Sequence, residues 1–307
     1  MTSGAFRVAP EVAEALRAAR PVVALETTLV THGLPRPDGL AAAAELDAEV
    51  RTAGAVPATI GLLEGQVVVG LMPAEIERLA SSPAVAKVSL SNLAGCLAGG
   101  LPGSTTVAAS LFAAHRLGIR VFATGGIGGV HRESGATGDV SADLTALARF
   151  PVAVVCAGAK AVLDLPKTIE ALETFGVPVF GWQTDRFPAF YRRDGGLPVD
   201  RRFDALDDLS RAVATHFGLD LGTGVVVGNP IPPEHEMPAE LYVESLTQAL
   251  HDAVAKGVRG RDVTPFLLER MRGLTEGRSV FSNRALLASN ARLAGQLAVA
   301  LAVTARA

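Results

Sequence analysis

The chain has 307 residues, 49% of them hydrophobic and 19% charged, with a formal net charge of -3. Apolar content on this scale supports a large buried core and excludes the disordered class. A net charge so small supplies no basic field that would draw the protein onto a nucleic-acid polymer or an acidic membrane.

In chain order, residues 1–10 lack both the basic start with an apolar run and the small-residue cleavage site of a secretory leader, so export is not expected. The first predicted strand is Val22 to Leu25. It runs into Glu26 and then into three threonines, His32 and the proline-stiffened Leu34 to Pro37. A carboxyl group at the mouth of a parallel sheet suits general acid/base work in a partly dry cleft, and a helix cap or a solvated loop explains Glu26 equally well. His32 reads better as a structural histidine.

Helical periodicity follows over Gly39 to Ala53, then strand patterns at Thr59 to Leu62 and Gln66 to Val69. Lys87 is a lone cation in the alternating segment Ala84 to Leu90, which implies either an anionic partner or an edge strand. Helical spacing over Thr106 to Leu117 leads to a strand at Ile119 to Ala123. That strand opens into Thr124-Gly125-Gly126-Ile127-Gly128-Gly129-Val130-His131. Glycines there would free backbone amides to cradle a phosphate. A dinucleotide fingerprint fails, because His131 stands where its last glycine belongs, and a P-loop fails for want of a Gly-Lys-Ser/Thr ending.

The most informative stretch comes next. Asp139, and Asp143 within a short helix over Ser141 to Ala148, precede a buried strand over Val152 to Cys156 and then Ala157-Gly158-Ala159-Lys160. Small neighbours let a carbonyl compound approach the Lys160 amine and keep water away from it, the setting in which lysine acts as a nucleophile. An ordinary solvated loop lysine is the alternative. Asp164 then caps a helix over Leu165 to Phe175, with Pro166 tolerated in its first turn.

Further strands are predicted at Val177 to Phe180 and Gly224 to Val227, with a helix over Leu206 to Phe217 between them. The loop Asn229 to Pro238 carries Glu234, His235 and Glu236. Adjacent residues rarely face one ion, so these read as loop or subunit-contact residues. Arg284 to Val303 reads as an amphipathic packed helix rather than a membrane span. Cys96 and Cys156 lie in small or apolar surroundings without metal-ligand spacing, implying buried thiols in a reducing, cytoplasmic setting. Short β-branched runs alternating with helices indicate an α/β fold with a largely parallel sheet. No linker divides the chain, so residues 1–307 are read as one domain.

Taken together these stretches resemble the pseudouridine-5'-phosphate glycosidase family, which includes proteins tied to indigoidine pigment clusters. The likeness rests on ALETTLVTHGLPRP, VPATIGLLEGQVVVGL, TTVAASLFAAHRLGIRVFATGGIGGVHR, GDVSADL, VVCAGAKAVLDLPKTIEALETFGVPV and NPIPPEHEMP, in that order. It implies an α/β/α sandwich, a homotrimer, and reversible cleavage of the carbon–carbon bond between ribose and uracil to give uracil and ribose 5-phosphate. By the resemblance, Lys160 forms an imine with ring-opened ribose, Glu26 protonates the departing base, and Asp143 serves as acid/base for ring opening. It also implies substrate contacts at Lys87, Val107, Ser141, Ala142, Asp143 and Asn290, phosphate-side positions at Thr124 and His131, and one divalent ion, Mn²⁺ or else Mg²⁺, at Asp139. A class I aldolase using the same lysine, and a phosphate-binding module with Lys160 inert, remain as other readings.

Overall fold

A computed structural model describes residues 4–258, 260 and 263–304. The chain begins with β1 (Phe6–Val8), α1 (Pro10–Arg17), β2 (Val22–Leu25), a π-helical turn at Leu29–Gly33 and α2 (Arg36–Thr52). There follow β3 (Val56–Leu63), β4 (Gln66–Val69), α3 (Pro73–Ser81), β5 (Ala86–Val88), α4 (Leu93–Ala98), β6 (Gly103–Thr105) and α5 (Val107–Arg116). The middle holds β7 (Val121–Ala123), α6 (Ser134–Thr137), α7 (Ala142–Leu147), β8 (Ala153–Cys156), α8 (Leu165–Thr174), β9 (Val179–Trp182) and β10 (Arg201–Phe203). The last third is α9 (Leu206–Gly218), β11 (Val225–Gly228), α10 (Ala239–Ala255), α11 (Val263–Leu274) and α12 (Arg278–Thr304).

Strand order along the main sheet is β1-β4-β3-β2-β7-β8-β11-β9-β10. From β3 to β10 every neighbour is parallel. Every residue of β2, β8 and β11 is buried, as a parallel sheet covered by helices on both faces requires. α12 packs across β2, β7 and β8 between α2 and α9, whereas α5 packs on β2, β3 and β7 together with α7. The α/β class and the largely parallel central sheet expected from the sequence are present.

β3 pairs with three strands. Val56 to Thr59 lie parallel to β2, while Ile60 to Leu63 form an antiparallel hairpin with β4, and Gly61 and Leu62 also pair antiparallel with β6. β5 joins β6 in parallel, with Lys87 opposite Ser104. Lys87 is therefore on a short edge strand, one of the two alternatives that its sequence context allowed.

α12 is long and apolar enough to cross a membrane by length and composition alone. Its Leu286, Leu287, Ala291, Leu293, Ala294 and Leu297 are buried against the sheet, so it is a core helix. Both cysteines are buried and free, and burial pushes the Cys156 thiol up to about 12, which removes it as a nucleophile.

Candidate active site

The chain runs from β2 outward to β3, then returns to place β7 on the other side of β2. That reversal makes a crevice beyond the carboxyl ends of β2 and β7, where ligands bind in open parallel sheets. Glu26 leaves β2 there, Thr124 leaves β7, and Ala157 to Lys160 leave β8. Two segments continue side by side past the strand ends: Ile127 N–H donates to Gly158 O and Lys160 N–H to Ile127 O, both at 3.0 Å. Gly158 has φ of +77°, and an added Cβ would lie 1.8 Å from Pro188 O, so only glycine lets Pro188 close over the β8 exit.

Two cavities meet at Lys160. A narrow one of about 60 Å³ is walled by Glu26, Leu29, Thr124, Gly126, Phe190 and Asn283, among others. A polar one of about 190 Å³ is walled by Ser89, Thr106, His131, Asp139, Ser141 and Asp143, among others. Thr28, Lys87, Lys160 and Thr264 line both. Lys160 is half-buried, and among the described residues its Nζ makes no hydrogen bond or ion pair. The arrangement offers a nucleophilic amine at the boundary between a buried carboxyl group and a cluster of polar groups suited to an oxygen-rich ligand.

Glu26 is only 5% exposed. The Thr28 hydroxyl donates to one of its carboxyl oxygens and the Thr124 hydroxyl to the other, fixing its orientation. Thr124 therefore lines the narrow cavity beside Glu26 while His131 lines the polar one, because residues that leave adjacent parallel strands at equal height are neighbours.

The glycine loop also departs from expectation. Several of its amides are spent internally rather than presented to a phosphate. Gly128 N–H donates to Asp143 Oδ2 at 2.8 Å, Val130 N–H to Thr168 Oγ1 at 3.0 Å, and His131 N–H to Asp139 O at 3.1 Å. Its glycines serve close approach: a Cβ on Gly128 would come within 2.2 Å of Ser141 Oγ.

Asp143 is buried and accepts a second amide, from Ala108 in the first turn of α5 at 2.9 Å, so each oxygen anchors backbone. Val107 opens α5, where first-turn amides have no intrahelical acceptor, beside Thr106 in the polar cavity wall. Ser141 caps α7, accepting from Asp143 N–H at 3.2 Å, and Ala142 is its first residue. Burial is the main cause holding the His131 imidazole below its usual range, reinforced by Lys160 and Lys87 and opposed by Asp139. Its Nδ1 lies 3.9 Å from Asp139 Oδ2.

Asn290 does not line either cavity. Fully buried on α12, it donates to Thr124 O at 2.8 Å and accepts from Asn229 Nδ2 at 2.9 Å, so it secures the β7 exit from behind. The asparagine that does line the narrow cavity is Asn283, two turns earlier on the same helix. Phe190 was also not anticipated. It holds φ of +62°, costly for an aromatic residue, fixed by its amide bond to Ala157 O at 2.9 Å and by the Gly158 to Ala189 bridge.

Among the described residues no three His, Cys, Asp or Glu side chains form a metal cluster. Asp139, with its side chain 30% exposed at the polar cavity and His131 beside it, is a donor set that fits a hard, largely hydrated ion such as Mn²⁺ or Mg²⁺.

Known proteins share this framework. The pseudouridine-5'-phosphate glycosidase of Methylobacterium nodulans is 53% identical over 293 residues, covering 95% of this chain and 87% of that protein. A crystal structure of the prealnumycin C-glycosynthase AlnA in complex with ribulose 5-phosphate has a TM-score of 0.91 at 39% identity, covering 99% of each chain. An indigoidine synthase A-like protein from Thermotoga maritima gives a TM-score of 0.88 at 34% identity over 97% of each. The profile of the family described as "Indigoidine synthase A like protein" matches residues 11–300, and the chain belongs to that family.

Proposed function

We propose that this protein is an enzyme that reversibly cleaves the C1'–C5 bond of pseudouridine 5'-phosphate, giving uracil and ribose 5-phosphate. The observation that carries this reading is the position of Lys160 where the two cavities meet, with Glu26 in one and Asp139 and His131 in the other. Names borne by relatives of about half identity agree with it.

A carbon leaving group cannot depart as glycosidic oxygens do, because it needs an electron sink at C1' and a proton at the departing carbon. The Lys160 amine bonds to C1' as the C1'–O4' electron pair goes to the ring oxygen, and the proton that the amine gives up passes to that oxygen with Asp143, in the wall of the polar cavity, as the acid/base. The nitrogen lone pair then forms the C1'=N⁺ bond as the C1'–C5 pair passes to the base, and Glu26 delivers the proton to C5. Water cleaves the iminium, returning the lysine and releasing ribose 5-phosphate. Asp143 keeps Gly128 and the start of α5 in place while these steps proceed.

The phosphate and sugar hydroxyls fall in the polar cavity, among Lys87, the Val107 amide, Ser141, Ala142 and His131. A Mn²⁺ or Mg²⁺ at Asp139, held mostly through waters, would offset anionic charge there. The assembly expected with this activity is a cytoplasmic homotrimer, which a light-scattering mass of three chains would test.

The deciding experiment is incubation with pseudouridine 5'-phosphate and detection of free uracil. Borohydride reduction with ribose 5-phosphate should attach the sugar to Lys160, and Lys160→Ala should lose both adduct and turnover. An adduct on Lys87 or Lys167 would refute the assignment. Turnover of β-hydroxy sugar phosphates without uracil release would favour an aldolase.

A further inference from the structure

The narrow cavity has a neighbour that Lys160 does not line. An outer cavity of about 270 Å³, more than four times the volume of the narrow one, shares with it the wall residues His32, Gly33, Leu34, Pro265, Leu268 and Asn283. Neither Glu26 nor Lys160 reaches this outer space. Its remaining walls include Pro35, Tyr191, Val280 and the Glu269–Arg272 ion pair. The ion-pair side chains are 62% and 45% exposed, so the outer cavity opens to water past a charged rim. Its inner surface is mixed, with apolar contact from Leu34, Pro265 and Val280 beside polar groups from Thr31, Ser279 and Asn283.

This arrangement limits how a base lies in the site, given the proposed reaction. Ring carbon C5 must sit between Glu26 and the Lys160-bound C1'. The atom across the ring is C2, and the two atoms flanking it are N1 and N3. That edge therefore faces the shared wall and the outer cavity behind it. Of the six residues in that shared wall, Gly33 alone contributes no side chain to separate the two spaces.

We infer that the outer cavity is the outer part of the aglycone site. The enzyme then turns over C-nucleoside 5'-phosphates whose pyrimidine carries an alkyl or aryl substituent on N1 or N3. The substituent is a spectator: the C1'–C5 bond breaks, C5 gains the proton from Glu26, and water frees ribose 5-phosphate from the lysine as before. Leucine, proline, valine and tyrosine side chains in the walls give an aryl or alkyl group apolar contact beside the polar Thr31 and Ser279, and the open rim leaves its length unrestricted.

This inference rests on the proposed reaction, and the test separates the two. Pseudouridine 5'-phosphate and its N1-benzyl and N3-benzyl derivatives are compared by release of the free base. At least one benzyl derivative should show kcat/KM within ten-fold of the parent. Val280→Trp, which fills the outer cavity without touching the narrow one, should cut that derivative's kcat/KM at least ten-fold more than the parent's, with Val280→Phe intermediate. Parent turnover with neither benzyl derivative processed overturns the inference and leaves the proposed reaction standing. Equal losses for parent and derivative in both Val280 variants, or no loss for the derivative, also overturn it. Absence of uracil release from the parent itself overturns both.

Discussion

Replacing Asn290 tests whether the β7 exit is held from behind, as the structure shows, or whether this asparagine touches substrate. Asn290→Ala removes the donor to Thr124 O and the acceptor for Asn229 Nδ2, while Asn229 keeps its 3.0 Å bond to Ser289 Oγ. One carbonyl is orphaned and one amide half-orphaned, both in a fully buried setting. At about 1–3 kcal/mol for each unsatisfied buried group, the variant should lose about 2–4 kcal/mol. That is a large share of the roughly 5–15 kcal/mol that holds a typical domain. Urea denaturation of wild type and variant measures it directly. Because the Thr124 hydroxyl orients Glu26, a loosened Thr124 should also lower kcat, by up to about 10²-fold, with KM nearly unchanged. Asn290→Asp keeps the acceptor for Asn229 but sets an oxygen against Thr124 O, so it should be no better than alanine. Stability within about 0.5 kcal/mol of wild type together with a raised KM would refute this reasoning and return Asn290 to the substrate.

Glu26→Gln should lower kcat by about 10²- to 10⁴-fold while borohydride trapping of ribose 5-phosphate on Lys160 proceeds normally; loss of trapping would show that Glu26 acts before bond cleavage. Exhaustive chelation should abolish uracil release, Mn²⁺ should restore it, and Asp139→Asn should raise the Mn²⁺ concentration required; full activity after chelation would remove the metal from the proposal. Burial is the leading cause that holds His115, His131 and His216 below the ordinary value of 6.5, so the folded state resists protonation that the unfolded chain accepts. Stability should therefore be complete above about pH 6.5 and decline as pH falls below it. Melting at pH 7.5 and 5.5 checks the sign, and His216→Asn should flatten part of the slope.

Much of the framework is legible in the sequence. β2 and β4 coincide with the predicted Val22 to Leu25 and Gln66 to Val69, because compact β-branched runs bounded by polar or glycine residues leave no competing pattern. β10 escaped notice, since Arg201 and Arg202 are exposed and only Phe203 carries an apolar signal over three residues. β1 and β6 are equally short and their pairing across the chain leaves no local signature, whereas the alternation over Ala84 to Leu90 allowed an edge strand where β5 lies.

Glu26, Lys87 and Lys160 could be singled out because a charge beside a buried run is conspicuous, and the structure brings all three to the narrow cavity. The glycine loop is ambiguous for a physical reason: glycine permits both free amides and close packing, and only coordinates show Asp143 and Thr168 taking the Gly128 and Val130 amides. Asn283 and Asn290 illustrate the limit most directly. Seven residues apart, they lie on one face of α12, so periodicity aims both at the sheet. Which of them meets a cavity depends on how far α12 slides along β7 and β8, a quantity absent from the sequence.

β3 carries a consequence for how this protein can change over evolution. Its first half takes its register from β2 and its second half from β4 and β6, and all eight residues are buried. A deletion or insertion within Val56 to Leu63 would shift one half by a residue and turn its side chains to the opposite face. No slack exists to absorb the shift, since each half is already claimed by different partners. Gains and losses of length should therefore accumulate in exposed connections such as Pro83 to Ala84, while β3 drifts only by exchange of one side chain for another. The strand acts as a ruler that sets the distance between the Glu26 side of the crevice and the β5–β6 pair bearing Lys87.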